Sequence, residues 1–218
     1  MVSSARHKRR KENMAMKNKK MIARICSAVL ALSMLMSGCS TGGSDTGTNT
    51  KPSGSQGGQA PQGTAAELGS LKSFTAKTLD GGTFTQKDFA DKDITVLNFW
   101  STMCGPCIDE MPELAKFARA LPDNVQVVTV CLDGTGMEDY ARSLLGDFDG
   151  VTILSGDGDY SDVDGNIQYT PTTVLVDNGG NFVGDAMIDG QEDLSKSFLD
   201  AVNGALASMG KEEISLVE

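Results

Sequence analysis

Two cysteines three positions apart, Cys104 and Cys107, stand between two segments whose hydrophobic periods differ. The run before them, Ile94–Trp100, is β-branched, aromatic or aliphatic except for one asparagine, and it predicts a buried central strand. After them, the apolar side chains of residues 106–121 recur at helical spacing, which predicts an amphipathic helix. A strand that passes through a short turn into a helix indicates an α/β unit with the cysteines at its turn.

The chain after residue 67 continues to alternate short apolar runs with helical patterns. Further strands are expected at residues 125–132, 151–154, 172–176 and 181–188, and further helices at residues 136–145 and 192–208. Two β-rich runs, residues 73–78 and 82–86, flank a Leu-Asp-Gly turn and predict an N-terminal hairpin. This order predicts an α/β domain over residues 67–210, with a mixed central sheet and helices on both of its faces.

The position of the cysteine pair at a helix N-terminus favours redox chemistry. The first turn of a helix presents unpaired N–H groups and positive dipole density, which stabilise a thiolate at Cys104. Cys107, one turn further on, can attack a mixed disulfide formed at Cys104 and release a reduced partner. A static disulfide and a metal site are the alternatives, but the predicted domain offers only Cys131 as a further ligand of the usual kind. The single histidine, His7, lies in the leader, so we expect no His-dependent catalysis, no metal and no other cofactor.

The segment from Asn98 to Pro112, Asn-Phe-Trp-Ser-Thr-Met-Cys-Gly-Pro-Cys-Ile-Asp-Glu-Met-Pro, resembles the active-site segment of the thioredoxin superfamily. Its Cys-x-x-Cys-x-x-Glu-x-Pro pattern is most similar to the TlpA/ResA-like extracytoplasmic branch, and the resemblance covers about residues 70–208. A second landmark is Tyr-Thr-Pro-Thr-Thr at residues 169–173. The resemblance implies a thioredoxin-like fold with an N-terminal β-hairpin extension, and a cis peptide bond before Pro171 that faces the cysteines.

The resemblance also implies roles for individual residues. Those with catalytic or client-binding roles are Cys104, Cys107, Glu110, Thr170, Pro171 and Trp100. The two cysteines attack and resolve the client disulfide, Glu110 manages the proton of the inner thiol, and the last three contact the client. For Glu110, a solvated carboxylate that favours the helix dipole is the alternative interpretation.

Two positions depart from the family pattern. Met103 stands where many members have tryptophan, so one aromatic wall of the active-site surface is missing and partner choice is expected to differ. Asn98 stands where thioredoxins proper often have a buried aspartate that helps to move the proton of the inner cysteine. An amide cannot do this. Glu110 resembles the acid that serves this role in the TlpA/ResA branch, and it lies one helical turn after Cys107, near the inner thiol.

The first 38 residues have the features of a lipoprotein signal peptide. A basic segment is followed by the apolar residues 22–36 and then by Leu-Met-Ser-Gly-Cys, which resembles the bacterial lipobox and ends at Cys39. Residues 39–66, rich in Gly, Ser, Thr, Gln and Pro, predict a flexible tether that follows the lipidated cysteine. The expected location is extracytoplasmic, lipid-anchored to the bacterial cell membrane. An ordinary signal peptide and an uncleaved anchor are the alternatives.

From Cys39 onward the chain carries 10 basic and 28 acidic side chains, a net charge of −18. A surface of this sign repels phosphate backbones, so we expect no nucleic-acid partner. The most acidic segment, residues 157–166, lacks the spacing and terminal glutamate of an EF-hand loop, and an acidic surface loop is favoured over a calcium site. Cys131, inside a predicted strand, is interpreted as a buried structural thiol rather than a third redox partner.

The function predicted from these features is that of a membrane-tethered thiol–disulfide oxidoreductase. Its expected partners are disulfide-containing client proteins outside the cytoplasm and a membrane electron donor that re-reduces the cysteines; clients of the family include apocytochromes c and methionine sulfoxide reductases. A thioredoxin-fold peroxidase is the alternative, although Thr102 precedes Cys104 by two residues and the peroxidase pattern requires three. A binding lipoprotein that retains only the fold is a third class. Residues 211–218 are expected to form a C-terminal tail outside the domain.

Overall fold

The computed structural model describes residues 64–217, and in this part of the chain seven strands form one sheet in the order β2-β1-β5-β4-β3-β6-β7. The strands are β1 (Phe74–Thr78), β2 (Thr83–Thr85), β3 (Ile94–Trp100), β4 (Val125–Cys131), β5 (Val151–Gly158), β6 (Thr172–Asp177) and β7 (Phe182–Ile188). The central strands β3, β4 and β5 run parallel, whereas the outer strands join by antiparallel pairing. The predicted mixed sheet and N-terminal hairpin are therefore confirmed.

Helices cover both faces of this sheet, as predicted. They are α1 (Gly105–Ala120), α2 (Glu138–Leu145), α3 (Asp159–Asn166) and α4 (Leu194–Ser208), with short 3-10 helices at Ala65–Leu68 and Gln86–Phe89. The core under α1, α2 and α4 includes Phe117 and Phe198, whose rings meet edge to face with centroids 5.7 Å apart. The opposite core, under α3 and the N-terminal segments, contains three phenylalanine rings in mutual contact, those of Phe74, Phe84 and Phe89.

Strand β3 carries the chain into the cysteine pair, and all seven of its residues are buried. It lies between the parallel β4 and the antiparallel β6, so both of its edges are hydrogen-bonded. Its side chains alternate between the two cores, with Val96 and Trp100 on the α1 side and Leu97 and Phe99 on the other. A central strand held on all sides fixes the point at which Ser101 leaves the sheet.

The prediction of an acidic surface loop at residues 157–166 is wrong, because this segment ends β5 and forms α3. Tyr160 and Val163, three positions apart, are buried against the sheet and provide the apolar face of this short helix. At its first residue, the Asp159 carboxylate accepts hydrogen bonds from the backbone N–H groups of Lys72 and Ser73, at 2.9 and 2.8 Å. Within residues 64–217, no group of three His, Cys, Asp or Glu side chains is arranged to hold a metal ion.

The folded domain begins before residue 67, the first residue predicted for it. Ala65 is fully buried, and Thr64 forms an antiparallel bridge with Asp185. A second bridge joins Ser70 to Asn181, so this N-terminal segment lies along the outer edge of β7. The predicted signal peptide 1–38, the lipidation site Cys39 and tether residues 40–63 lie outside the described residues. No helix among the described residues is long and apolar enough to cross a membrane.

The domain also extends past residue 210, contrary to the prediction of a separate tail. The backbone N–H of Val217 donates to the carbonyl of Ala120 at the end of α1, at 2.8 Å. The Asn203 side chain in α4 accepts from the N–H of Ile214 at 2.8 Å and donates to its carbonyl at 3.0 Å. These residues therefore pack against the end of α1 and the second half of α4, and Ile214 and Leu216 add to the core on that side.

Candidate active site

Cys104 and Cys107 are joined by a disulfide at the start of α1, with their Cα atoms 5.3 Å apart. Cys104 is the N-cap residue of the helix, and its Sγ accepts a hydrogen bond of 3.2 Å from the backbone N–H of Cys107. Cys104 is partly exposed, whereas Cys107 is fully buried. Only the first sulfur can therefore be approached by another protein. The helix N-terminus lies where it stabilises the negative charge that Cys104 acquires on reduction.

The loop before β6 faces this disulfide. The Thr170–Pro171 peptide bond is cis, and the carbonyl oxygen of Thr170 lies 3.5 Å from Cys104 Sγ. Pro171 is buried, so the loop presents its backbone to the sulfur. The structure thus brings together residues 66 positions apart in the sequence, in the arrangement that the resemblance implied.

Glu110, in the second turn of α1, contacts the central strand. Nδ2 of Asn98 on β3 donates to Glu110 Oε1 at 3.3 Å and to Thr173 Oγ1 at 2.9 Å. Burial raises the pKa of Glu110 to about 7; the Asn98 hydrogen bond opposes this shift, and the charges of Glu113 and Asp189 add to it. A carboxyl group with a pKa near neutrality can both take up and return a proton. These contacts do not fit the alternative of a fully solvated carboxylate.

The turn that follows β7 lies beside Glu110. The backbone N–H of Asp189 donates to the carbonyl of Pro171 at 2.9 Å, and Asp189 adopts a left-handed φ of 78°. Gly190 comes so close that a Cβ added to it would lie 3.8 Å from Glu110 Oε2. The same turn therefore contacts both the proline loop and the carboxylate. Sequence reasoning missed it, because an Asp-Gly pair signals a turn without indicating what the turn packs against.

A second carboxylate, that of Asp133, contacts the turn that leads into Cys104. Thr102 donates its backbone N–H to Asp133 Oδ1 and its hydroxyl to Oδ2, both at 2.8 Å. Burial raises the pKa of Asp133, but the hydrogen bonds to its carboxylate, of which those from Thr102 come first, together outweigh this effect and the pKa lies below its ordinary value. The Cys131 thiol donates to Asp133 Oδ1 at 3.5 Å. Burial and the Asp133 charge raise the pKa of Cys131 to about 12, so this fully buried thiol stays protonated.

Two large apolar side chains are exposed next to the disulfide. Met103, which precedes Cys104, is 83% exposed, and Tyr169, which precedes Thr170, is 55% exposed. Trp100, in contrast, is fully buried in the core that also contains Cys107. The prediction that Trp100 contacts a client is therefore wrong. Its strand is central and covered on both faces, so the indole has no path to the surface.

A disulfide at a helix N-terminus, opposite a cis-proline loop and on a mixed sheet with helices on both faces, defines a thioredoxin-like protein. The chain belongs to the AhpC/TSA family, whose family model matches residues 69–182, slightly more than half of its length.

Solved structures share this fold. A secreted thiol-disulfide isomerase from Corynebacterium glutamicum superimposes with a TM-score of 0.53 at 20% identity, over 76% of this chain and 99% of that chain. A DsbF homologue from Corynebacterium diphtheriae gives a TM-score of 0.53 at 19% identity, over 72% of this chain and 99% of that chain. At these identities the likeness shows the fold alone, and it confirms the predicted fold class.

Curated relatives match the central part of the chain. Thioredoxin-like protein YneN of Bacillus subtilis is 32% identical over 108 residues, which are 49% of this chain and 63% of the relative. Sporulation thiol-disulfide oxidoreductase A of the same organism is 38% identical over 60 residues, which are 27% of this chain and 35% of the relative. The chain thus spans less than two-thirds of the length of either relative.

Proposed function

We propose that this chain is a thiol–disulfide oxidoreductase that reduces disulfides of client proteins through Cys104 and Cys107. The observation that carries the proposal is the asymmetry of the pair at the start of α1: Cys104 Sγ is accessible and lies opposite the Thr170 carbonyl, whereas Cys107 is buried. Two matching relatives named as thiol-disulfide oxidoreductases, from Bacillus subtilis and Oceanobacillus iheyensis, support it.

In the reduced chain, the Cys104 thiolate attacks one sulfur of a client disulfide. A mixed disulfide forms between Cys104 and the client, the client S–S bond breaks, and the departing client sulfur takes up a proton from solvent. The Thr170 carbonyl lies beside the reacting sulfur and offers an acceptor for the backbone of an extended client segment. Met103 and Tyr169 supply apolar contact at the exposed rim.

Cys107 then resolves the mixed disulfide. Its thiol gives its proton to the Glu110 carboxylate, and the resulting thiolate attacks Cys104 Sγ. The second client sulfur leaves as a thiolate and takes up a proton from solvent, while the Cys107 proton stays on Glu110, so that two electrons have passed from the chain to the client. Glu110 suits this role because a pKa of about 7 allows it to accept the proton and to return it to solvent near neutral pH.

Asn98 can support both protonation states of Glu110. Beside the carboxylate its Nδ2 is the donor, and its Oδ1 is buried without a hydrogen-bond partner. A rotation of the Asn98 side-chain amide by 180° exchanges the positions of Nδ2 and Oδ1. In that orientation Oδ1 would accept hydrogen bonds from a protonated Glu110 and from the Thr173 hydroxyl. The amide thereby stabilises a proton on Glu110 without carrying one itself.

We also propose that the protein acts outside the cytoplasm, held at the bacterial cell membrane by a lipidated Cys39 and the tether that follows it. The pattern of residues 1–66, with its basic, apolar and lipobox segments followed by a Gly/Ser-rich stretch, supports this location. A membrane electron donor would re-reduce the cysteines after each cycle. Apocytochromes c and methionine sulfoxide reductases are the client classes that the thioredoxin-like resemblance implies.

Reduction of insulin disulfides by the full chain, with dithiothreitol as donor, tests this function. The unmodified chain should accelerate insulin reduction and Cys104→Ser should abolish the acceleration, because the attacking sulfur is gone. Cys107→Ser should lose the acceleration, and the reduced variant, freed of dithiothreitol and mixed with insulin, should accumulate a mixed disulfide, because the first step is retained and the second is lost. Cys131→Ser is the matched control, a cysteine outside the pair, and should retain activity.

The redox potential of the pair decides the direction of the reaction. A two-electron transition near that of thioredoxin, about −270 mV, would support a reductant, whereas one near about −120 mV would mark an oxidant. Absence of any transition would overturn the catalytic function and leave a binding protein. Consumption of hydrogen peroxide by Cys107→Ser would instead indicate a thioredoxin-fold peroxidase.

A further inference from the structure

We infer that Asp133 is a positioning residue that holds the turn before Cys104 in the conformation that presents its sulfur to a client. The inference rests on the proposed function, because it adds a residue to the machinery of the same site. Asp133 contacts neither cysteine of the pair by hydrogen bond and acts through Thr102.

The turn Ser101-Thr102-Met103 connects the last buried residue of β3 to the N-cap of α1. Before it, the Leu132 N–H donates to the Trp100 carbonyl at 2.9 Å, and after it the Cys104 N–H donates to the Ser101 carbonyl at 3.1 Å. Between these two points, the Asp133 carboxylate receives both the N–H and the hydroxyl of Thr102. Thr102 is only 2% exposed, so without Asp133 two buried donors would lose their acceptor together.

A carboxylate is suited to this contact because its two oxygens can accept from two donors at once. Asp133 follows β4, the parallel neighbour of β3, and Trp100 and Cys131 at the ends of these strands are register partners. Thr102 and Asp133 therefore each follow closely the end of one of two adjacent, hydrogen-bonded strands. The chain turns tightly here, since a Cβ added to Gly134 would lie 2.9 Å from Cys131 Sγ.

The consequence for catalysis follows from geometry. Cys104 is two residues after Thr102, so a shift of the turn moves the N-cap residue and its sulfur. Disulfide exchange requires the attacking sulfur to lie in line with the bond that breaks, and a displacement of about 1 Å can lower a rate about a hundredfold. We therefore expect loss of Asp133 to slow attack on protein disulfides even while the domain remains folded.

The test compares four forms of the full chain: unmodified, Asp133→Ala, Asp133→Asn and Asp177→Ala. Asparagine keeps an acceptor for the Thr102 N–H and a group that can pair with its hydroxyl, so it should restore most of the positioning. Asp177 is the matched control, an aspartate that accepts from the backbone N–H groups of Gly179 and Asn181 in a turn. It pairs with Ile94, the first residue of β3, and so lies at the end of that strand remote from Cys104.

Initial rates of insulin reduction, thermal unfolding and the equilibrium of the cysteine pair with dithiothreitol are measured for each form. Asp133→Ala is expected to lower kcat/KM at least tenfold, Asp133→Asn to stay within threefold of the unmodified chain, and Asp177→Ala within twofold despite its own loss of thermal stability. Activity of Asp133→Ala within twofold of the unmodified chain would overturn the inference. So would an equal loss in Asp177→Ala, because the effect would then reflect stability alone.

Failure of the proposed function gives a different result. If the unmodified chain does not reduce insulin, the equilibrium between the Cys104–Cys107 pair and dithiothreitol still reports on the turn. This equilibrium is followed through the fluorescence of Trp100, the single tryptophan of the chain. A change of at least threefold in that equilibrium constant in Asp133→Ala, absent in Asp177→Ala, supports the positioning role. An unchanged constant in both variants overturns it. If Asp133→Ala does not fold, Thr102→Val removes only the hydroxyl contact and should lower kcat/KM, or shift that equilibrium constant, about threefold.

Discussion

At the scale of single residues, the raised pKa of Glu110 makes the stability of the folded protein depend on pH. This pKa is about 7 in the fold, against an ordinary value of 4.5, chiefly because of burial. The folded state therefore binds the proton more tightly than the unfolded state, and ionisation of Glu110 costs stability. The cost is absent below about pH 4.5, where both states are protonated, and it increases as the pH rises to about 7.

Replacement of the Glu110 carboxyl should remove its contribution to the pH dependence of the free energy of unfolding. We expect Glu110→Gln to raise the free energy of unfolding of the oxidised chain by about 2 kcal/mol at pH 8, after allowance for solvent screening, and to change it little at pH 4.5. Urea denaturation between pH 4 and 8 measures both values. The control is Asp109→Asn, an exposed acid on the same helix, which should leave the curve unchanged. An equal gain at pH 4.5 and pH 8 would contradict the assignment of the raised pKa.

The parts of the site that local sequence encodes could be predicted, and the parts that depend on distant contacts could not. Spacing and neighbouring elements sufficed for Cys104 and Cys107, because strand, turn and helix are consecutive there. The partners of Asn98 and Asp133 lie 75 and 31 positions away, and no pattern near either residue identifies them. The burial of Trp100 likewise depends on the helices that pack on the sheet. The position of this residue near the cysteines in the sequence does not reveal that packing.

At the scale of elements, α3 shows that an acidic segment can form a helix that packs on the sheet through only two side chains. Four aspartates and two glycines dominate residues 157–166, whereas only Tyr160 and Val163 contribute an apolar face. Strands such as β3 were predictable because a continuous apolar run gives a strong signal. For α3 the deciding interactions are the packing of two side chains and the contact of Asp159 with the backbone before β1.

The contact of Asp159 should contribute measurably to stability. Asp159→Ala removes the acceptor of the Lys72 and Ser73 N–H groups, which water can replace at this exposed position, and we expect the free energy of unfolding to fall by about 1 kcal/mol. Asp162→Ala, in which an exposed acid of the same helix is removed, is the matched control and should change it by less than about 0.5 kcal/mol. Urea unfolding at pH 7 compares the two. Equal losses would show that the charge of the helix, and not this contact, is responsible.

At the scale of the whole molecule, the described domain is strongly acidic. Residues 64–217 contain nine Lys and Arg against 26 Asp and Glu, and no basic side chain occurs between Lys92 and Lys116 or between Arg142 and Lys196. These two stretches include the disulfide cysteines Cys104 and Cys107, Glu110 and the cis-proline loop. A field of one sign around a reactive sulfur attracts partners of the opposite charge and repels those of the same charge.

Charge should therefore govern how fast the protein reacts with small peptide disulfides. We expect the reduced chain to react at least tenfold faster with a peptide disulfide flanked by lysines than with a matched one flanked by glutamates, at an ionic strength of about 0.01 M. The difference should shrink to about twofold or less at about 1 M, where the Debye length falls from about 30 Å to about 3 Å. Stopped-flow rates at both ionic strengths check this. A preference that persists at high salt would point to specific contacts instead of the overall field.

If the proposed lipid anchor holds the protein at one membrane face, its copies meet there at high local concentration. A sheet edge with free N–H and C=O groups is a template on which a neighbouring molecule can add a strand, and such addition begins polymerisation. In this fold the outer side of β7 is occupied by the N-terminal segment, through the bridges of Thr64 with Asp185 and of Ser70 with Asn181. Residues 64–70 thus also cover the β7 edge of the sheet, and they should prevent neighbouring molecules from pairing there into a continuous sheet.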